Sequence, residues 1–134
     1  MRASLYFAFL VGIVLAATAH AADPYPAKLV KIVVPFAAGG STDLLTRSVA
    51  QQLNEAWKRP VVVENRAGGG GIVGSEYVVK SPADGYVLLL GTNTTHAAAA
   101  TLYTKLPYDL RRDFAPITEI ASIPLILSVH PSIP

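Results

Sequence analysis

Apolar and polar positions follow two different periods along the chain, and together they predict alternating strands and helices. Leu29–Val34 is a mostly apolar, β-branched run that ends at Pro35, which is typical of a buried strand. Apolar residues then recur at helical spacing with polar residues between them, so we predict a helix over residues 42–57 with one buried face. The apolar positions are Leu45, Val49, Leu53 and Ala56, and the polar ones are Arg47, Gln51, Asn54 and Lys58.

The same alternation continues along the rest of the chain. Short β-branched runs predict further strands, and the stretches between glycine-rich turns predict further helices. Because strands alternate with helices, the predicted fold class is α/β, with a mainly parallel sheet and flanking helices. The remaining predicted elements are strands at Pro60–Glu64, Tyr86–Leu90, Ala115–Ala121 and Leu125–Val129, helices over residues 72–80 and 97–103, and a loop over residues 106–112.

The N-terminal residues have a pattern of their own. Arg2 precedes a nearly unbroken apolar run over residues 5–17, and the small-x-small tripeptide Ala19–His20–Ala21 follows. This pattern predicts a secretory signal peptide over residues 1–21, cleaved near Ala21/Ala22, and with it a periplasmic location. A membrane anchor is the alternative, but the apolar run is shorter than the roughly 20 residues that a membrane span needs.

The composition narrows the classes of function. The chain has 134 residues and a formal net charge of +2, and removal of residues 1–21 would leave it nearly neutral. Basic residues cluster only in the pairs Lys58–Arg59 and Arg111–Arg112, so we expect no nucleic-acid partner. The absence of cysteine excludes disulfides and thiolate chemistry. His96 and His130 have no metal-ligand spacing, so we expect no metal site.

A strand that runs into a glycine turn at the start of a helix predicts a site for an anion. In the stretch Val33–Asp43, unpaired backbone N–H groups at a helix N-terminus would favour a carboxylate or phosphate. Ser41 or Thr42 would cap the helix, and their hydroxyls would add donors beside the amides around Gly40. Phe36 would close one side of the ligand or belong to the core. The alternative is an ordinary capped turn that binds nothing.

A second polar segment follows the third predicted strand. The five consecutive hydrogen-bonding side chains of Thr92–His96 lie there, and ligands of open α/β sheets bind outside the carboxyl ends of the strands. The alternative is that Asn93, Thr94 or Thr95 caps the next helix. Asp43 fits an anion site poorly, and it is explained as a helix N-terminal charge or as an acceptor for a ligand hydroxyl, amino group or bridging water.

Two further interpretations have less support. The run Gly69-x-Gly71-x-x-Gly74 follows a strand and precedes a helix, like a dinucleotide-binding turn. Such a turn needs an acidic residue at the end of the next strand, and this chain has none there, so we expect no cofactor. A Ser–His–Asp hydrolase would use Ser41 and His96, but Ser41 lacks the G-x-S-x-G elbow. We therefore expect no catalytic residues.

An ordered series of motifs resembles the periplasmic solute-binding receptors of tripartite tricarboxylate transporters, the Bug-type receptors. The resemblance runs from Tyr25 to the last residue. The chain departs from the family's pattern at Ala67, where proline is usual, and at Ile72, where a polar residue is common. The matching motifs are Val33–Phe36, Gly39–Asp43, Val62–Arg66, Asp84–Tyr86, Leu89–Thr92, Leu106–Tyr108, Asp113–Pro116 and Val129–Ser132.

The resemblance implies a two-domain, hinged receptor that closes on a small carboxylate and delivers it to membrane permease subunits, without catalysis. Residues 22–134 would then be most of the N-terminal ligand-binding domain, with the second domain absent, and we expect a monomer. The alternatives are a secreted serine hydrolase that uses Ser41 and a ligand-binding sensor domain for a signalling partner. The implied ligand contacts are Phe36, Gly39, Gly40, Ser41, Thr42 and Asp43 in the first loop and Thr92, Asn93, Thr94, Thr95 and His96 in the second.

Overall fold

A computed structural model describes residues 24–124 and 128–132 of the chain. The signal peptide predicted over residues 1–21 and part of the strand predicted at Leu125–Val129 lie outside the described residues. The observed elements are β1 (Val30–Val34), α1 (Ser41–Trp57), β2 (Val61–Asn65), a 3-10 turn (Gly69–Gly71), α2 (Ile72–Val79), β3 (Val87–Leu89), a π-helical turn (Thr94–Ala98) and α3 (Ala99–Leu102).

The sheet is parallel, with the strand order β2-β1-β3. Val30 pairs with Val61 on one side of β1, and Lys31 pairs with Val87 on the other. The central strand β1 is almost entirely buried, which explains its nearly continuous apolar sequence. The α/β class and the parallel sheet predicted from the sequence are therefore confirmed.

The helices α1 and α2 cover opposite faces of the sheet. Ile32 and Val61 form a core cluster with Ala50 of α1. On the other face, the Lys31 amino group lies 3.1 Å from the Tyr77 hydroxyl of α2. Right-handed crossovers explain this arrangement, because the chain passes first to one side of β1 and then to the other. Among the described residues, no helix is long and apolar enough to cross a membrane.

The strand predicted at Ala115–Ala121 is wrong. In the described part of the chain these residues form no strand, and all of them are exposed, with Ile117 at 78% of its full accessibility. A strand exists only where a neighbour accepts and donates its backbone hydrogen bonds. Alternating apolar residues without such a neighbour remain an extended segment.

Two helix starts also differ from prediction. The N-cap of α1 is Gly40, and no side chain of the described residues caps this helix, so capping by Ser41 or Thr42 is wrong. The helix predicted to begin at Ala97 starts earlier, with the π-helical turn at Thr94. Among the described residues the side chain of Asn93 makes no capping hydrogen bond, whereas the Thr92 hydroxyl accepts one from the Thr95 amide at 3.3 Å. The loop predicted over residues 106–112 is confirmed as non-helical and non-strand.

Candidate functional site

The candidate site lies at the carboxyl edge of the sheet, between the segments that follow β1 and β3. We call Pro35–Gly40 the first loop and Leu90–His96 the second segment. The chain goes from β1 to β2 on one side, and β3 returns to the other side of β1. The strand order therefore reverses between β1 and β3, which opens a crevice at their carboxyl ends. Open α/β sheets bind their ligands in such crevices.

The first loop presents the start of α1 to this crevice. Leu44 donates the first intrahelical hydrogen bond, to the Gly40 carbonyl at 3.0 Å. The amides of Gly40, Ser41 and Thr42 precede that bond, so the helix itself offers them no acceptor. Gly40 and Ser41 are exposed and Thr42 is half-buried. These groups can donate hydrogen bonds to an anion at the positive end of the helix dipole.

Asp43 is buried directly beneath the first loop, with 2% of its surface exposed. Its Oδ2 accepts hydrogen bonds from the Gly39 amide at 2.9 Å and from Arg47 Nε at 3.0 Å. Its Oδ1 accepts one from Asn65 Nδ2 at 2.9 Å. The same Asn65 amide nitrogen also donates to the Phe36 carbonyl at 3.2 Å. Asp43 and Asn65 together thus hold the first loop near both of its ends.

These donors also fix the charge state of the carboxyl group. The Arg47 guanidinium, the Gly39 amide and the Asn65 amide lower the pKa of Asp43 from 3.8 to about 2, against the opposing effect of burial. Arg47 also donates to Asn65 Oδ1 at 3.0 Å, which closes a ring of three side chains. Asp43 is therefore ionised at neutral pH, and its negative charge is paired with Arg47.

In the second segment, Thr95 is the buried centre of a tight turn, with 1% of its surface exposed. Its Oγ1 accepts a hydrogen bond from the Thr92 amide at 2.9 Å and lies 2.9 Å from His96 Nδ1. Thr92 is half-buried, whereas Asn93 and Thr94 are exposed. The Thr95 hydroxyl is thus used within the turn, and the side chains of Asn93 and Thr94 are the ones that a ligand at this edge can reach.

The His96 ring is packed into the protein. It lies against Phe114, with ring centroids 5.1 Å apart, and it fills the space above Gly91, where an added Cβ would come within 2.6 Å of Cε1. Burial lowers the pKa of His96 below its ordinary value, so the neutral imidazole is the main form at neutral pH. The ring is therefore a neutral hydrogen-bonding group in this structure and not a cationic one.

The glycine turn after β2, by which we mean Gly69–Gly74 (the 3-10 turn and the first residues of α2), packs against both the first loop and the second segment. A Cβ added at Gly74 would lie 2.9 Å from both the Arg66 carbonyl oxygen and Pro35 Cα. A Cβ added at Gly71, whose φ is +95°, would overlap the Thr95 methyl group. The turn approaches both the first loop and the second segment this closely only because these residues are glycine. This packing is what the G-x-G-x-x-G pattern does here.

All eleven residues predicted to contact ligand lie at this one edge of the sheet. Three belong to the first loop (Phe36, Gly39 and Gly40), three to the first turn of α1 (Ser41, Thr42 and Asp43) and five to the second segment (Thr92–His96). Sequence reasoning missed Asn65 and Arg47, which support the first loop from below. Arg47 could have been found from its i,i+4 spacing to Asp43. Asn65 has no local signal, because its contact depends on the parallel pairing of β1 with β2, in which it lies beside Val34.

The exposed hydrogen-bond donors at this edge of the sheet are uncharged groups. Its exposed groups are backbone amides, hydroxyls and the Asn93 amide, and the nearby Arg47 is paired with Asp43. In residues 24–124 and 128–132, no group of three or more His, Cys, Asp or Glu is placed to hold a metal ion. Among the same residues, Ser41 makes no hydrogen bond with His96, whose Nδ1 faces Thr95.

Comparison with known proteins gives a consistent assignment. A family model described as "Tripartite tricarboxylate transporter family receptor" matches residues 45–134. Protein BugT of Bordetella pertussis is 39% identical over 129 residues, which cover 92% of this chain. The matched part spans 40% of the length of BugT.

Solved structures resemble the same part of the chain. MatC from Rhodopseudomonas palustris, with bound malate, has a TM-score of 0.66 and 37% identity over 69% of this chain and 31% of its own. An R. palustris protein with adipate has a TM-score of 0.63 and 40% identity over 65% and 29%. A structure described as a periplasmic transporter has a TM-score of 0.59 and 40% identity over 64% and 29%. These similar proteins are periplasmic solute-binding proteins and not enzymes.

Proposed function

Because the chain belongs to the tripartite tricarboxylate transporter receptor family, we propose that it captures a small carboxylate in the periplasm and delivers it to membrane permease subunits. Residues 1–21 would be the export signal, and residues 22–134 would form most of one lobe of a two-lobed, monomeric receptor. The observation that carries this proposal is the crevice between β1 and β3, because the amides at the start of α1, which have no acceptor within the helix, lie at the same edge of the sheet as the second segment.

The ligand class follows from the donors in the crevice. Malate and adipate, which accompany two of the similar structures, both carry two carboxylates. A carboxylate accepts hydrogen bonds from neutral amides and hydroxyls without needing a cation, and each such bond contributes about 1.5–3 kcal/mol. Gly40, Ser41 and Thr42 supply donors on one side, and Thr92–His96 supply polar groups on the other. We propose that a dicarboxylate of malate or adipate size bridges the two segments.

Within the described residues, the crevice is bounded only by the first loop, the start of α1 and the second segment, so we expect this part of the receptor to bind weakly by itself. Two or three hydrogen bonds correspond to a dissociation constant in the millimolar range, which is about 4 kcal/mol. A micromolar constant, about 8 kcal/mol, would need a second wall that closes over the ligand and excludes water. The chain spans 40% of BugT, and a second lobe is where we place those further contacts.

The experiment is an NMR titration of the isotopically labelled chain with malate and with adipate. We expect saturable shifts of the amides of Gly39–Thr42 and Thr92–His96, and no shifts with the neutral diamides of the same acids. Ser41→Ala should weaken binding several-fold, and Ser48→Ala, an exposed serine farther along α1, should not. Equal shifts with acids and diamides, or shifts confined to other regions, would contradict the proposal.

A further inference from the structure

Three of the four acceptor positions of the Asp43 carboxylate are occupied by donors of the protein itself. Both of its carboxylate oxygens lie within 3.0 Å of donors of the protein itself, namely the Gly39 amide, Arg47 and Asn65. The residue is 2% exposed, so a ligand in the crevice does not reach it. A contact role for Asp43, which was one of the interpretations of the sequence, would require breaking this set of bonds.

The same contacts decide where the loop amides point. Gly39 has a φ of +86°, and its amide is turned down onto Asp43. Asn65 holds the Phe36 carbonyl from the side of β2. The loop is thus fixed at Phe36 and at Gly39. The next amides, those of Gly40, Ser41 and Thr42, are the ones left for an anion.

The contacts of Asp43 also compensate its negative charge. An ionised carboxylate under an anion site would repel the ligand unless a cation were paired with it. Arg47 provides that cation, because its Nε donates to Asp43 Oδ2 and its Nη2 donates to Asn65 Oδ1. The Arg47 side chain is half exposed, and its positive charge offsets the negative charge of the buried Asp43, so the pair beneath the first loop carries almost no net charge.

We infer that Asp43 is a positioning residue of the proposed carboxylate site, which holds the amides of the first loop in their binding geometry through Gly39, Asn65 and Arg47. This inference rests on the proposed function for its ligand. Its structural part, the dependence of the Gly39 amide on the Asp43–Asn65 pair, can be measured without any ligand.

A reciprocal exchange of the two side chains provides the test. In Asp43→Asn alone, the new amide nitrogen faces the Asn65 amide nitrogen, and turning Asn65 over would bring its nitrogen against Arg47. In Asn65→Asp alone, two carboxylates face each other. In the double variant, the amide introduced at position 43 donates to the carboxylate introduced at position 65, and Arg47 still reaches both side chains. Only the hydrogen bond to the Phe36 carbonyl has no replacement, so we expect substantial but incomplete rescue.

Two measurements report the effect of swapping the two side chains. Hydrogen exchange at the Gly39 amide in the ligand-free chain should quicken about tenfold or more in each single variant and return to within a few-fold of the wild type in the double variant. The dissociation constants for malate and adipate should rise about tenfold in each single variant and recover likewise. Glu55→Gln, which removes an exposed carboxylate from the same helix, should change neither.

The outcomes separate the two proposals. Unchanged Gly39 exchange in Asp43→Asn, or a double variant as impaired as the two single variants combined, would overturn the positioning role. If the wild-type chain binds neither acid, the proposed function fails. The hydrogen-exchange rates of the Gly39 amide then still decide whether Asp43 positions the loop. Should Asp43→Asn fail to fold, rescue of folding and of Gly39 protection by Asn65→Asp would support the inference, and failure of that rescue would contradict it.

Discussion

At the scale of single residues, burial separates the side chains that build the site from those that are free to bind. Asp43 and Thr95 are nearly inaccessible, and their oxygens are used by neighbouring donors of the chain. Ser41, Asn93 and Thr94 are exposed. The sequence places all of these residues in two polar segments, but it does not show which of them a ligand can reach. Three-dimensional packing decides this, since a buried polar group needs a partner within the protein and an exposed one does not.

Asp43 should keep its charge far into acid. Its pKa in the folded chain is lowered to about 2, below the ordinary value of 3.8, so its ionised form stabilises the fold at pH values above 3.8. That stability is lost as the pH falls through about 2. We expect the Gly39 amide shift, followed by NMR, to stay constant from neutral pH to about pH 3 and then to titrate. A midpoint near 4 would show that the carboxylate is not held as described.

At the scale of elements, the pattern of apolar and polar residues predicted correctly the strands and helices of the sheet region. The strands β1, β2 and β3 and the helices α1 and α2 lie within one or two residues of their predicted bounds. The strand expected at Ala115–Ala121 was wrong because strands need partners, which a local pattern does not reveal. The role of Asn65 was missed for the same reason, since it depends on the pairing of β1 with β2. The assignment of individual residues to ligand contact stays a prediction.

The glycine turn after β2 should tolerate no side chain at Gly74. An added methyl group would press on the backbone of Pro35 and Arg66, which cannot rotate away as a side chain can. We expect Gly74→Ala to lower the free energy of unfolding by about 1–3 kcal/mol, as overpacking does in cores. Chemical denaturation followed by circular dichroism measures this change.

Gly40→Ala is the matched control for that substitution. Gly40 has a φ of −76°, and the nearest atom to an added Cβ is the Ala37 carbonyl oxygen at 3.8 Å, which is an ordinary contact. Its free energy of unfolding should therefore change by less than about 1 kcal/mol. Equal losses at the two positions would mean that the close approach of Gly74 to the backbone of Pro35 and Arg66 is not what requires glycine there.

At the scale of the whole molecule, the two ends of α1 lie at opposite edges of the sheet. Its first residue, Ser41, lies at the carboxyl edge beside the crevice, and its last residue, Trp57, lies at the amino edge. There the Trp57 ring packs edge-on against Tyr25, with centroids 5.8 Å apart, and Tyr25 also contacts Tyr86 at 5.1 Å. A helix of 17 residues separates the two ends by about 25 Å. Binding at one edge should therefore leave the aromatic cluster at the other unchanged.

Trp57 is the only tryptophan of the chain, so its fluorescence can distinguish binding from unfolding. Malate should leave the native emission unchanged, because the crevice lies at the far end of α1. It should nevertheless raise the free energy of unfolding measured by the same signal, since a ligand that binds only the folded chain stabilises it by RT ln(1 + [L]/Kd). At a hundred times the dissociation constant the gain is about 2.7 kcal/mol, and the diamide of malate at the same concentration should give none. A saturable change in native emission together with a shift of the unfolding midpoint would instead place malate at the amino edge, against Tyr25 and Tyr86, and would contradict the site between β1 and β3.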